Sequence, residues 1–200
     1  MKQMFSIRNS ILLICIVVVG CSDPAWYSTY RNDQYGFELG LPIGWEQVEA
    51  RWAVELTDNA NDGFRKDERY SSGQIEAAIR RTSTIAIFSP QDWDSSEPRL
   101  PMLVIVAEST PQDERVPEYL RSLSDYFGPS FRIVQDVQQV RQNGAVMFRI
   151  GYSSSISDSI LHADVTCLRV DEKMLSFQAL SISKDDRDLL QTMIDSVQIQ

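Results

Sequence analysis

An unbroken apolar run, Ile11–Val19, ends in Gly20-Cys21, and it limits how much of this 200-residue chain is left to fold. Lys2 and Arg8 precede it, so the segment has the positive start and apolar middle of an export signal. As a helix the run rises only about 14 Å, against a hydrocarbon core of roughly 30 Å. A cleavable signal over residues 1–20 is therefore the better reading than a membrane span. Gly20 lets a peptidase approach the backbone, and Cys21 supplies a thiol directly after it.

Val18-Val19-Gly20-Cys21 resembles the [Leu/Val/Ile]-x-Gly-Cys lipobox of bacterial lipoproteins. The resemblance implies an acylated, palmitate-bearing Cys21 as first residue of the mature chain, and a membrane anchor through it. A single acyl chain anchors only marginally, at about 0.8 kcal/mol per buried CH₂. Such lipoproteins carry several chains, which makes anchoring stable. The alternative is an ordinary secretory signal that contains a cysteine. By resemblance to enterobacterial sorting, where Asp after the cysteine retains a protein in the inner membrane, Ser22 leans toward the outer membrane. The expected organisation is a signal over 1–20, a lipidated tether over 21–33 and one periplasm-facing domain over 34–200.

With Cys15 lost in the signal and Cys21 spent on lipid, Cys167 has no intramolecular partner. The core must hold the fold without a disulfide. Cys167 itself lies in an apolar strand pattern and reads as a small buried hydrophobe. The whole chain has a formal net charge of −9. Residues 1–20 contain Lys2 and Arg8 and no carboxylate, so their loss makes the remainder two charges more acidic, −11. That balance repels nucleic acid, which is excluded as a partner.

Period-two alternation predicts most of the remaining elements. Phe37, Leu39 and Leu41 alternate with Glu38 and Gly40 as a half-buried strand, and Val48–Leu56 alternates strictly. Thr82–Phe88 predicts a strand, and the continuous apolar run Met102–Ala107 a central strand covered on both faces. Pro117 at a helix start and Gly128-Pro129 at its end bracket an apolar stripe of Tyr119, Leu120, Leu123 and Phe127. Gln142-Asn143-Gly144 predicts a tight hairpin turn between two strands. Ser153–Ser159 reads as a polar link, and Ile160–Val170 with Met174–Ser183 as a second hairpin. Ser183 caps a final helix whose buried face is Leu189, Leu190, Met193 and Ile194, followed by a short strand within Ser196–Gln200.

The opening Tyr35-Gly36-Phe37-Glu38-Leu39-Gly40-Leu41-Pro42-Ile43-Gly44-Trp45 resembles the Gly-aromatic…Pro-x-Gly-Trp start of PsbP-like domains. The closing hairpin and the helix ending Ile194-Asp195-Ser196-Val197 resemble their last third, a plan shared with DcrB-type envelope lipoproteins. The resemblance implies an α+β fold: an antiparallel sheet of six to seven strands with helices on both faces, a PsbP-like α-β-α sandwich. It transfers no catalytic residue.

Motifs of chemistry are few. Asp58-x-x-x-Asp62-Gly63 suggests a calcium loop, but its third and twelfth positions are Ala60 and Arg69, which cannot supply ligands. His162, the single histidine, shares a strand face with Asp164. Two groups fall short of a metal site, so neither metal nor cofactor is expected, and His162 reads as a surface or edge histidine. No Gly-x-Ser-x-Gly elbow, phosphate loop or Cys-x-x-Cys occurs. The expected function is that of a non-enzymatic, lipid-anchored envelope adaptor acting on a protein partner. Phe64, Tyr70 and Trp93 in the acidic loops 58–72 and 89–101 are the candidate partner surface, since large exposed aromatics anchor interfaces. The alternative is a small-ligand or metal-binding periplasmic module with a cleft between sheet and helix.

Overall fold

Strands form where apolar residues alternate, and helices where they recur every three to four residues. A computed structural model of the protein describes residues 26–48, 81–90, 100–111, 114–127, 130–156 and 158–200. Within them the strands are β1 (Trp26–Asn32), β2 (Phe37–Pro42), β3 (Trp45–Gln47), β4 (Thr82–Pro90), β5 (Met102–Ser109), β6 (Arg132–Gln142), β7 (Ala145–Ile156), β8 (Ser159–Val170), β9 (Lys173–Ser181) and β10 (Gln198–Ile199). Helix α1 (Val116–Phe127) lies between β5 and β6, and α2 (Lys184–Asp195) between β9 and β10. None of the described helices is long and apolar enough to cross a membrane.

The large sheet has seven strands in the order β3-β4-β5-β9-β8-β7-β6, and the described pairings are antiparallel. A second sheet, β1-β2-β10, stands apart from it. The strand expected over Phe37–Leu41 thus belongs to a small sheet and not to the large one. Alternation shows that a segment is half-buried but not which strand it pairs with. The partner is chosen at the far end of the chain. Ser196, just past α2, accepts a hydrogen bond from the Gly40 amide at 2.9 Å, and the Gln200 amide donates to the Gly36 carbonyl at 2.8 Å.

Two stretches are more regular than their composition suggests. Trp26–Asn32, within the expected tether, is a strand paired with β2, as Tyr30↔Leu39 shows. The expected polar link over 153–159 is largely ladder: Ser153 pairs with His162, Ser154 with Leu161 and Ser155 with Ile160. Main-chain bonds continue the ladder without apolar side chains, so serines extend it. The Asn143-Gly144 turn adopts the expected left-handed geometry, with φ of 47° and 84°. Strand Val48–Leu56 lies outside the described residues beyond Val48.

The buried side chains form two clusters. One gathers Phe37 and Leu39 of β2, Trp45, Phe88, Leu103, Phe177 and the α2 residues Leu190, Met193 and Ile194. The other sets Val116, Tyr119, Leu120 and Leu123 of α1 against Ile150, Tyr152, Val165 and Cys167. Along β8, Cys167 joins the α1 cluster and Leu168 the α2 cluster; along β9, Met174 joins the first and Leu175 the second. Aromatic edges join the two sheets. Phe37 meets Phe177 at 5.4 Å, near perpendicular, and Tyr30 meets Phe88 at 5.0 Å.

Phe177 is fully buried at that junction. Phe177→Ala is expected to cost about 3–5 kcal/mol, whereas Ile43→Ala, at a side chain 69% exposed, should stay within about 0.5 kcal/mol. Urea denaturation of both variants measures the contrast, and similar midpoints would refute this account of the core.

Candidate functional site

Beyond the apolar cluster, the sheet face that carries Leu168 turns polar. On β8, Asp164 and His162 have the parity of Leu168, and their partners on β7 are Gly151 and Ser153. Gln135 of β6 lies opposite Gly151. Helix α2 sends Lys184, Arg187, Asp188 and Gln191 to the same region, at the spacing of a helical stripe beside its apolar one. Between them lies a cavity of about 500 Å³, lined also by Arg149.

At its base, Arg187 Nε donates to Asp164 Oδ2 at 2.5 Å and Nη2 to Oδ1 at 2.7 Å. The Asp164 side chain is 8% exposed and that of Arg187 33%. This bidentate bond, working against partial burial, raises the Arg187 guanidinium above its ordinary value. Gly151 makes room for the pair. A Cβ there would lie 3.0 Å from Asp164 Oδ1 and 3.2 Å from Gln135 Cβ.

The other charges are tied as well. Arg149 Nε donates to Thr166 Oγ1 at 3.1 Å and its Nη2 to Asp195 Oδ1 at 3.0 Å; Gln191 donates to the same oxygen at 2.7 Å. Lys184 pairs with Asp188 one turn along the helix. His162 is different: its Nδ1 is buried and has no hydrogen-bond partner among the described residues. Leaving such a group unpaired costs about 1–3 kcal/mol.

The expectation that His162 and Asp164 share a face holds. That of a surface or edge histidine does not, because β8 is an interior strand and His162 is half-buried. Both Asp164 oxygens are committed to Arg187, and no described group of three His, Cys, Asp or Glu could hold a metal ion. Cys167 is fully buried, as expected, and burial pushes its thiol far above the usual range. Cys21, Phe64, Tyr70 and Trp93 lie outside the described residues. Sequence reading missed Arg149, Arg187 and Gly151. A lone glycine inside a strand pattern signals close approach by another group, and Gly151 carried that signal.

A second polar cluster lies beside α1. Tyr119 Oη donates to Glu108 Oε2 at 3.0 Å. Burial raises the Glu108 carboxyl above the usual range, outweighing the lowering effect of that hydrogen bond. Arg169 Nη2 holds the approach to the helix through Thr110 Oγ1, the Pro111 carbonyl and the Glu114 carbonyl. This cluster fastens α1 to the sheet.

The architecture is that of a PsbP-like fold. Cyanobacterial PsbP (CyanoP) from Synechocystis sp. PCC 6803 superposes with a TM-score of 0.53 at 14% identity, covering 90% of this chain and 96% of that one. LpqN of Mycobacterium tuberculosis, involved in cell envelope biogenesis, gives 0.45 at 13% identity over 86% and 90%. The Saccharomyces cerevisiae Ran-binding protein Mog1p gives 0.47 at 10% identity over 86% and 94%. The fold assignment rests on the first of these. No protein-family model and no curated protein matches the sequence.

Gly151→Ala is expected to destabilise the protein by about 1–3 kcal/mol, because Asp164 must yield and carry Arg187 with it. Wild-type stability in urea would mean that the pair is not held where it lies. Glu108 generates a pH dependence. Its folded-state pKa is raised, so its contribution is full below the unfolded carboxylate value and is lost as pH rises through the folded one. Glu108→Gln keeps an acceptor for Tyr119. It should therefore be the more stable protein near neutral pH and lose that advantage on acidification to about pH 4. Paired urea titrations at both pH values check the sign.

Proposed function

We propose that this protein is a non-catalytic, lipid-anchored accessory protein of a bacterial cell envelope, of the PsbP-like and DcrB-type lipoprotein kind, acting through protein–protein contacts. The observation that carries the reading is the union on one chain of the lipobox-like Val18-Val19-Gly20-Cys21 and a PsbP-like fold behind it. In this reading Cys21 bears the acyl chains, residues 34–200 face the periplasm, and Ser22 favours the outer membrane over the inner. Helices α1 and α2 cover opposite faces of the large sheet, an α-β-α sandwich. The opposite parity of Cys167 and Leu168, and of Met174 and Leu175, supports that arrangement.

In keeping with the non-catalytic part of the reading, burial pushes both the Cys167 thiol and the Tyr119 hydroxyl far above their ordinary values, which leaves these two groups protonated. Phe64, Tyr70 and Trp93 are the residues assigned to the partner surface.

In-cell crosslinking followed by gentle detergent extraction tests the proposal. A defined partner should co-purify with the wild-type protein and be lost or strongly reduced with Cys21→Ala. Phe64→Ala and Trp93→Ala should weaken recovery while the protein stays folded. An uncrosslinked monomer in every sample overturns the adaptor reading, and unfolding of both alanine variants overturns the assigned surface.

A further inference from the structure

We propose that the cavity between α2 and strands β6–β8 is a binding site for a small oxyanion, of the carboxylate or phosphate class. The donors and acceptors of the cavity point to such a ligand independently of the adaptor reading above. Asp164 is occupied by Arg187, Asp188 by Lys184, and Asp195 by Arg149 and Gln191. The described bonds of Arg149 and Arg187 use only Nε and Nη2, so each keeps an Nη1 without a partner among the described residues. Lys184 has further N–H groups beyond the one given to Asp188. Guanidinium and ammonium groups donate and never accept, so the donors left to this cavity suit an acceptor-rich ligand. The lining cations Arg149, Arg187 and Lys184 each meet one carboxylate, Asp195, Asp164 and Asp188 in turn, so these groups set no net negative charge against a bound anion.

Two features make this a prepared site rather than a chance surface hollow. The Arg187 guanidinium is fixed by a bidentate bond to a buried carboxylate, and Gly151 beneath it leaves room that a side chain would take. A planar, pre-oriented guanidinium suits carboxylate and phosphate oxygens. His162 then acquires a role. Its Nδ1 is closed to solvent and unpartnered, and the ring lines the cavity, so a ligand that brings a hydrogen-bond partner within reach of a turned ring would satisfy it. At about 500 Å³ the cavity lies within the roughly 300–1,000 Å³ typical of small-molecule sites.

The chain has a single histidine, so its imidazole signal needs no assignment. The test is an NMR titration of that signal in the full-length protein in detergent micelles, at constant pH. Malonate, inorganic phosphate, sodium chloride at matched ionic strength and the dication putrescine are added in separate series. The expected result is a saturable shift with malonate or phosphate and none with chloride. Preference for malonate assigns the site to carboxylates, and preference for phosphate to phosphoryl groups. Lys184→Gln, at a side chain 81% exposed, keeps the fold and should weaken the titration about tenfold, as should Arg149→Gln. A shift that only follows ionic strength, one produced by putrescine instead, or one that both variants leave unchanged overturns the proposal.

Discussion

Phe37 is the side chain on which the two sheets depend. It is fully buried, its ring meets Phe177 of the large sheet edge-on, and Tyr30 of β1 packs on both it and Phe88. The same cluster takes in Leu190, Met193 and Ile194 of α2, so one apolar body serves three layers of structure. The described cysteine, Cys167, is a free, buried thiol, so among the described residues this packing holds the layers together without a disulfide. The C-terminal residues close the arrangement with polar bonds. Asn143 and Gln142 donate to carbonyls at the end of α2, and Ser196 bridges helix and β2.

Helix α2 has two adjacent stripes with separate consequences. One supplies the core; the other meets a sheet face where Asp164 and His162 stand in place of apolar residues. Burying Asp164 is tolerable only because Arg187 reaches it with two hydrogen bonds, and that reach needs the space above Gly151. The polar cavity therefore follows from how the core is closed. A helix committed to the core on one stripe fixes where its neighbouring charges start out over the sheet.

Much of the fold was legible because it rests on periodicity. Several strands of the large sheet, the Asn143-Gly144 hairpin, the Ser183 cap of α2 and its apolar stripe follow from local pattern, while the antiparallel sheet of six to seven strands was what the PsbP-like resemblance implied. The capping prediction holds in detail: Ser183 Oγ accepts from the Asp186 amide at 3.1 Å. Pattern failed where a strand lacks apolar alternation, as in Trp26–Asn32, which pairs with β2 and packs Tyr30 on the core, and in the serines of β7. It failed again at His162, where a strand that reads as an edge lies inside the sheet.

The sequence by itself determined the apolar run that ends in the lipobox-like Val18-Val19-Gly20-Cys21, the acidic balance and the periodic faces of most elements. These are properties of neighbours within a few residues, and chain chemistry sets them directly. Only the tertiary structure decided that β2 leaves the large sheet to pair with β1 and β10. It alone brought Arg187 to Asp164 across 23 residues and placed both beside Arg149 and His162. Those contacts depend on which strands become neighbours and how α2 lies across them, and that is settled by packing between segments far apart in the chain.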